Sequence, residues 1–421
     1  MRIIHTSDWH LGQHFYGKNR ANEHQQFLSW LLEQIENHQV DAVIVAGDIF
    51  DTGTPASYAR EMYFDFIVQV HKLNCQLLIL AGNHDSVAML NESKQLLSNL
   101  SCKVIPSVSS DIDEQVFVLK DQQGLEQAVI CAIPFIRPRD VIHSQAGQSA
   151  MDKQQSLQQA ISDHYQTLYQ HAQTLADNTL PIIATGHLTT VGVSVTESVR
   201  EIYIGTLDAF PVNAFPPADY IALGHIHRAQ KVAKSEHIRY SGSPIPLSFD
   251  EAKQAKQILV AEFSGSNLQQ VSAIEIPRFQ AMAMMKTTID SMADDIQALS
   301  LANKDKETVW LDIEIESAGY LQNIQGRIDT LVTDTNIEVL LVRRSKAARQ
   351  LMPEQHTKIT LNELTLDDVF HNRMAQEDWK EEAEQARKIR LEQLFKQIAS
   401  EAQSEQTPLL TKADKQETEL L

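Results

Sequence analysis

Apolar residues fall in short blocks along the first half of the chain, and the blocks alternate with stretches patterned at three- and four-residue spacing. RIIHTSD (2–8) precedes a helix-like ANEHQQFLSWLLEQIENH (21–38), and DAVIVAGD (41–48) precedes a helical stretch from about Pro55 to Leu73, after which comes QLLILAGNHD (76–85). Unbroken apolar runs of this length are the signature of strands buried on both faces, and their alternation with helices predicts an α/β domain. A longer helix is predicted over about 152–177, with Leu157, Ile161, Tyr165, Leu168, Ala172 and Leu175 on one face. The chain then becomes strand-rich: PIIATGH (181–187), DYIALGHIH (219–227), HIRYSGS (237–243), QILVAEF (257–263) and QVSAIEI (270–276). The expected architecture is therefore two facing sheets flanked by helices.

Pro277 marks a boundary, giving a first domain over 1–277. Beyond it AMAMMKTTI, TVWLDIEIE and IEVLLVRR read as strands separated by helices near 291–300 and 320–333, a small α+β domain over 278–350. Residues 363–400 read as charged helix, with Trp379, Leu391, Leu394, Phe395 and Ile398 along an apolar stripe, and 401–421 as a disordered tail. No apolar block approaches the roughly 20 residues needed to span a bilayer. The N-terminus lacks the apolar core of a signal peptide, and Cys75, Cys102 and Cys131 are scattered, as in a reduced cytoplasmic protein.

Five of the predicted strands end in groups able to hold a metal: Asp8 and His10, Asp48, Asn83 with His84 and Asp85, His187, and His225 with His227. Ligands in an α/β sheet bind outside the carboxyl ends of the strands, so these segments are expected to converge. Residues i and i+2 of an extended segment point the same way, which aims both imidazoles of IALGHIHRA at one place. Any one of these residues is an ordinary cap, turn former or core histidine; the conjunction of five is not. Asp8, His10, Asp48, Asn83, His187, His225 and His227 make a mixed oxygen and nitrogen set without cysteine. That suits two five- or six-coordinate divalent ions sharing a carboxylate better than one structural zinc. Two such ions roughly 3.5–4 Å apart clamp a phosphoryl group for in-line displacement.

The order D-x-H, GD, GNHD, GH, GHxH resembles the calcineurin-like metallophosphoesterase superfamily. The segments HTSDWHLG, AGDIFDTGTP, AGNHDS, PFIRPRD, IATGHLTTVG, YIGTLDAFP, ALGHIHRAQ and SGSPIPLSFDE resemble, within it, the bacterial SbcD nuclease family, whose members work with an SbcC-type ATPase. The resemblance implies a DNA exonuclease and endonuclease with two metals per chain, most often Mn²⁺ with Mg²⁺ or Fe²⁺ as alternatives, acting as a homodimer within a heterotetramer. ATP is handled by the partner, and the complex is cytoplasmic and nucleoid-associated. It also implies roles. Asp8, His10 and His227 hold one ion, Asn83, His187 and His225 the other, and Asp48 bridges. His84 acts on the leaving 3′ oxygen, with Asp85 orienting its ring. Archaeal and eukaryotic relatives carry a histidine where this chain has Asp51.

Thirty-six basic residues against fifty-five acidic ones give a net charge of −19, which opposes a DNA substrate unless cations gather locally or a partner supplies them. The local candidates are His14, Lys18, Arg20, Arg137, Arg139, Arg228, Arg343, Arg344 and Lys346, with Arg349 nearby. The apolar stripe after 363 is expected to dock on the ATPase. Two other readings use the same residues: a phosphatase or phosphodiesterase acting on a small molecule or protein, and a non-enzymatic scaffold, which would have no need of all seven ligands and His84.

Overall fold

The computed structural model describes residues 1–141, 150–199, 209–316 and 324–344, and beyond these only 370, 373–374, 379, 384–385 and 387–395. Two six-stranded sheets form the centre. The first runs, in spatial order, Asn267–Glu275, Gln257–Ser264, Arg2–Thr6, Ala42–Ala46, Gln76–Leu80 and Cys102–Ile105. The second runs Gln230–Lys231, Ile238–Tyr240, Tyr220–Gly224, Ile182–His187, Glu126–Cys131 and Val116–Lys120.

The alternation of side chains along each strand builds two buried faces. Ile3, Ile44, Leu78 and Leu80 meet Ile130, Ile183 and Ala222 between the sheets. Their neighbours Ile4, Val43, Val45 and Ile79 pack outward under helices Ala21–Asn37 and Ser57–Lys72, through Phe27, Leu31, Tyr63 and Phe66. Helix Ala150–Ala176 covers the second sheet with Leu157, Ile161, Tyr165 and Leu168. Each large aliphatic side chain so enclosed contributes about 1.5–3 kcal/mol, which explains why the runs are mostly apolar. The helix departs from expectation at one place: Leu175 is 41% exposed and Ala176 takes the buried position. Ala176 lies four positions after Ala172, so the stripe continues through it.

Besides the two-residue strands His14–Phe15, Lys18–Asn19 and Gln230–Lys231, three strands lie outside the expected set, Cys102–Ile105, Val116–Lys120 and Glu126–Cys131. The last two form an antiparallel hairpin. Its turn is held by Asp121, whose Oδ1 accepts from the amides of Gln123 and Leu125.

After Pro277 the chain forms a parallel three-stranded sheet of Ala281–Thr287, Val309–Ile315 and Ile337–Arg344, connected by helices Met292–Ala302 and Ile324–Val332. It meets the larger body through Phe15, Phe249, Ala252, Met282 and Trp310. The Phe15 and Trp310 rings stack with centroids 5.7 Å apart.

A candidate dinuclear metal centre at the strand ends

The central strands of the two sheets, Arg2–Thr6, Ala42–Ala46, Gln76–Leu80, Ile182–His187 and Tyr220–Gly224, all deliver their carboxyl ends to one edge. The chain must turn sharply there, and it does so with side chains retained. Asp8, His10, Asp48 and His225 all have positive φ, from 47° to 90°. Such backbone is costly for a residue with a side chain and persists where surrounding structure enforces it, commonly at functional sites. Two glycines permit the close approach. A Cβ at Gly82 would lie 2.1 Å from Asp48 Oδ1, and one at Gly224 would lie 1.9 Å from the Ala46 carbonyl oxygen.

The donor atoms gather into overlapping groups: Asp8 with His10 and His227, Asp48 with His187 and His225, and His10 with Asp48 and His84. Asp48 Oδ2 lies 3.3 Å from His187 Nε2 and 3.6 Å from His10 Nε2, which places it between the first two groups. Asn83 Oδ1 lies 2.9 Å from His187 Nε2 and 3.2 Å from His225 Nδ1. All seven expected ligands are thus brought together, and all but Asn83, which is half-buried, are buried.

The electrostatics suit cations. Burial opposes charge on Asp48, yet the neighbouring His187, His84 and His10 hold its carboxyl well below the usual range. Burial likewise opposes charge on His187, but the Asp48 carboxylate raises that imidazole to about 9. His225 is driven well down, first by burial and then by the His187 charge. Both ring nitrogens of His10 and Nε2 of His225 are buried without a hydrogen-bond partner. A buried nitrogen with no partner carries a desolvation cost that a metal ion would remove. The donor set therefore fits divalent ions.

The expected ligands have partners behind them, as metal-binding histidines require. His187 Nδ1 donates to the Ala46 carbonyl at 2.9 Å. Asp51 Oδ1 lies 3.2 Å from His10 Nδ1. Asp8 accepts the His225 amide at 2.8 Å and the Ser7 hydroxyl at 2.6 Å. Sequence reasoning treats Asp51 only as a missing histidine; its aspartate spacing after Asp48 was the available signal.

His84 sits beside the expected ligands, its ring 4.7 Å from that of His10. Its Nδ1 donates to the Asp51 carbonyl oxygen at 2.8 Å, and its amide donates to Asp48 Oδ1 at 2.9 Å. The expectation that Asp85 orients this ring is corrected. Asp85 accepts instead from the amides of Gly82, Phe50 and Ile49 at 2.8, 3.0 and 3.1 Å, tying two ligand-bearing turns together. Burial, and next the charge of Asp48, push Asp85 up to about 6.

The cationic candidates divide. Arg20 is fully buried and makes two 2.7 Å bonds to Glu23, so its assignment to DNA is corrected: it is a core ion pair. Arg343 pairs with buried Asp312, and Lys18 with Glu338 of the small domain. His14 is half-buried on a short hairpin with Lys18. Arg137 donates to the Asp85 carbonyl at 3.2 Å, which sets it at the centre's rim. Arg139 and Arg228 are exposed, Arg344 is half-buried, and Lys346 and Arg349 lie outside the described residues. In the C-terminal stripe Phe395 stacks on Phe370 at 4.1 Å, and Trp379 donates to the Met374 carbonyl, so both are engaged within the chain. Leu394 is 50% exposed, Leu391 is half-buried, and Ile398 lies outside the described residues. Among the described residues no helix is long and apolar enough to cross a membrane.

Comparison with known proteins gives two family matches. Residues 1–229 match the calcineurin-like phosphoesterase model, and 278–378 match the type 5 capsule protein repressor C-terminal domain. The chain is 50% identical to the SbcD component of the SbcCD nuclease of Escherichia coli K12 over 396 residues, 94% of this chain and 97% of that protein. The proteins of the same name from Rhodobacter capsulatus and Bacillus subtilis are 34% and 26% identical, over 63% and 76% of this chain and 67% and 80% of theirs.

Proposed function

Because the chain belongs to the calcineurin-like phosphoesterases, and among them to the SbcD nucleases, we propose that its metal-dependent phosphodiesterase activity is exonucleolytic, 3′ to 5′, on duplex ends and endonucleolytic on hairpins and single strands. The observation that carries the catalytic part is the placing of Asp48 between the Asp8, His10, His227 group and the His187, His225 group. We assign Asp8, His10 and His227 to one ion, Asn83, His187 and His225 to the other, and Asp48 to both, with Mn²⁺ as the ion. Bound there, the pair of ions supplies Lewis-acid polarisation of the phosphate and a nucleophile at neutral pH.

The rest is done by the chain. His84 keeps one ring proton on Nδ1, donated to the Asp51 carbonyl. The proton it exchanges is therefore the one on Nε2, and its recipient is the leaving 3′ oxygen. Asp85 holds the turns that carry Asp48 and His84 at fixed separation.

The net charge of −19 weakens any independent grip on DNA. His14, Arg137, Arg139 and Arg228 supply local contacts, and an SbcC-type ATPase supplies the remainder, docked on the helix that carries exposed Leu394. Two copies of each chain make the working assembly.

The test gives the chain and its His84→Gln variant a hairpin-ended duplex in Mn²⁺, with and without the partner and ATP. Cleavage by the parent, stimulated by partner and ATP and lowered about 10²–10⁴-fold in the variant, supports the proposal. An intact hairpin beside hydrolysis of a small phosphodiester replaces the nuclease by a small-molecule phosphodiesterase.

A further inference from the structure

The segment SGSPIPLSFDE, residues 241–251, has no part in the centre as described so far. The structure places it directly behind one ligand group. Ser241 Oγ lies 2.9 Å from Ser7 Oγ, whose hydroxyl donates to Asp8 Oδ2. The Ser243 amide donates to the His227 carbonyl at 3.1 Å. A Cβ at Gly242 would lie 2.8 Å from that same oxygen, so the segment is packed against the turn without slack.

Its last residue, Glu251, is fully buried. Lys256 Nζ donates to Glu251 Oε2 at 2.5 Å and to the His227 carbonyl at 3.0 Å. Glu251 Oε1 accepts from Thr196 at 2.8 Å and from Ser198 at 2.5 Å. Ser198 Oγ in turn lies 2.6 Å from His227 Nδ1. A carboxylate only accepts, so the Ser198 proton points to Glu251 and its oxygen receives the Nδ1 proton of His227. The direction of the chain leaves the lone pair on Nε2. The other ligand group has a different backing, since His187 is oriented by a backbone carbonyl.

We propose that Ser198 and Glu251 are positioning residues that fix the tautomer of His227, so that the loop bearing Thr196 and Ser198 belongs to the metal centre and serves one of its two ions only. The proposal rests on His227 being a ligand.

Mn²⁺ is titrated calorimetrically into the full chain and its Ser198→Ala, Ser198→Thr and Ser194→Ala variants, and thermal unfolding is followed in chelator. The expected result is two ions in the parent and, in Ser198→Ala, one site weakened about 10–100-fold beside one unchanged. Ser198→Thr, which keeps the hydroxyl, restores binding to within a few-fold, and Ser194→Ala binds as the parent does. Chelated unfolding temperatures that match show that the loss is not one of folding. Two parental affinities in Ser198→Ala overturn the relay while leaving the centre standing; a parent that binds fewer than two ions overturns the centre as well.

Discussion

Asp51 Oδ1 lies 3.2 Å from His10 Nδ1, on the side of the ring away from Asp48. Burial opposes charge on His10, but the nearby carboxylates, Asp51 first, raise its affinity for protons. In the metal-bound protein the same carboxylate would hold Nδ1–H and present Nε2. Asp51→Ala removes that hold but keeps the backbone carbonyl that orients His84. The Mn²⁺ concentration for half-maximal cleavage is expected to rise about 10–100-fold, with the rate at saturating Mn²⁺ close to the parent's. An unchanged midpoint would show that Asp51 does not orient the ligand.

Gly82→Ala tests the shared carboxylate from the opposite side. The new methyl would stand 2.1 Å from Asp48 Oδ1 and 2.3 Å from its amide nitrogen, where there is no flexible chain end to yield. Asp48 must move, at a strain cost of about 1–3 kcal/mol. If it bridges, both ions are lost together in a titration while the circular dichroism spectrum stays that of a folded chain. Loss of one ion alone would mean that Asp48 serves one site.

The legible part of this protein was the part set by local pattern. Buried strands are largely apolar, so AVIVA and YIALG identified themselves, and the residues expected to hold metal lie just beyond them. The support behind the ligands was hidden because it comes from far along the chain: Glu251 reaches His227 through Ser198, 53 residues away in sequence. Arg20 misled for a related reason. A basic residue next to a motif looks like a phosphate contact until Glu23, one helical turn on, is seen to close over it. Positive φ at Asp8 and Asp48 has no sequence signature, since glycine would have been the ordinary choice there.

Arg20→Ala separates these two accounts of the arginine. The guanidinium meets both oxygens of buried Glu23 and lies 5.1 Å from the Phe15 ring and 5.8 Å from Trp310. Removing it strands a carboxylate in the interior, which costs about 3–5 kcal/mol. Urea unfolding is expected to show that loss. A variant as stable as the parent but weaker on DNA would restore the surface reading.

Acid should unfold the chain through histidines that the fold keeps neutral. Burial, the largest influence on each, lowers His5 and His24 to about 3 and His164 to about 4. Their ordinary value is near 6.5, so below that pH the unfolded chain takes protons that the folded chain refuses. Stability from these groups is complete above about pH 6.5 and falls as the solution is acidified, by up to about 1.4 kcal/mol per pH unit for each. His187, raised to about 9, acts in another window. Its contribution is complete below about pH 6.5 and is lost as pH rises through 9, so it adds no slope on the acid side. Urea midpoints of the metal-free chain are therefore expected to drop steeply between pH 6.5 and 5, and less steeply in His164→Gln. A parent whose midpoint is flat over that interval would mean that these rings can take up protons without leaving the fold.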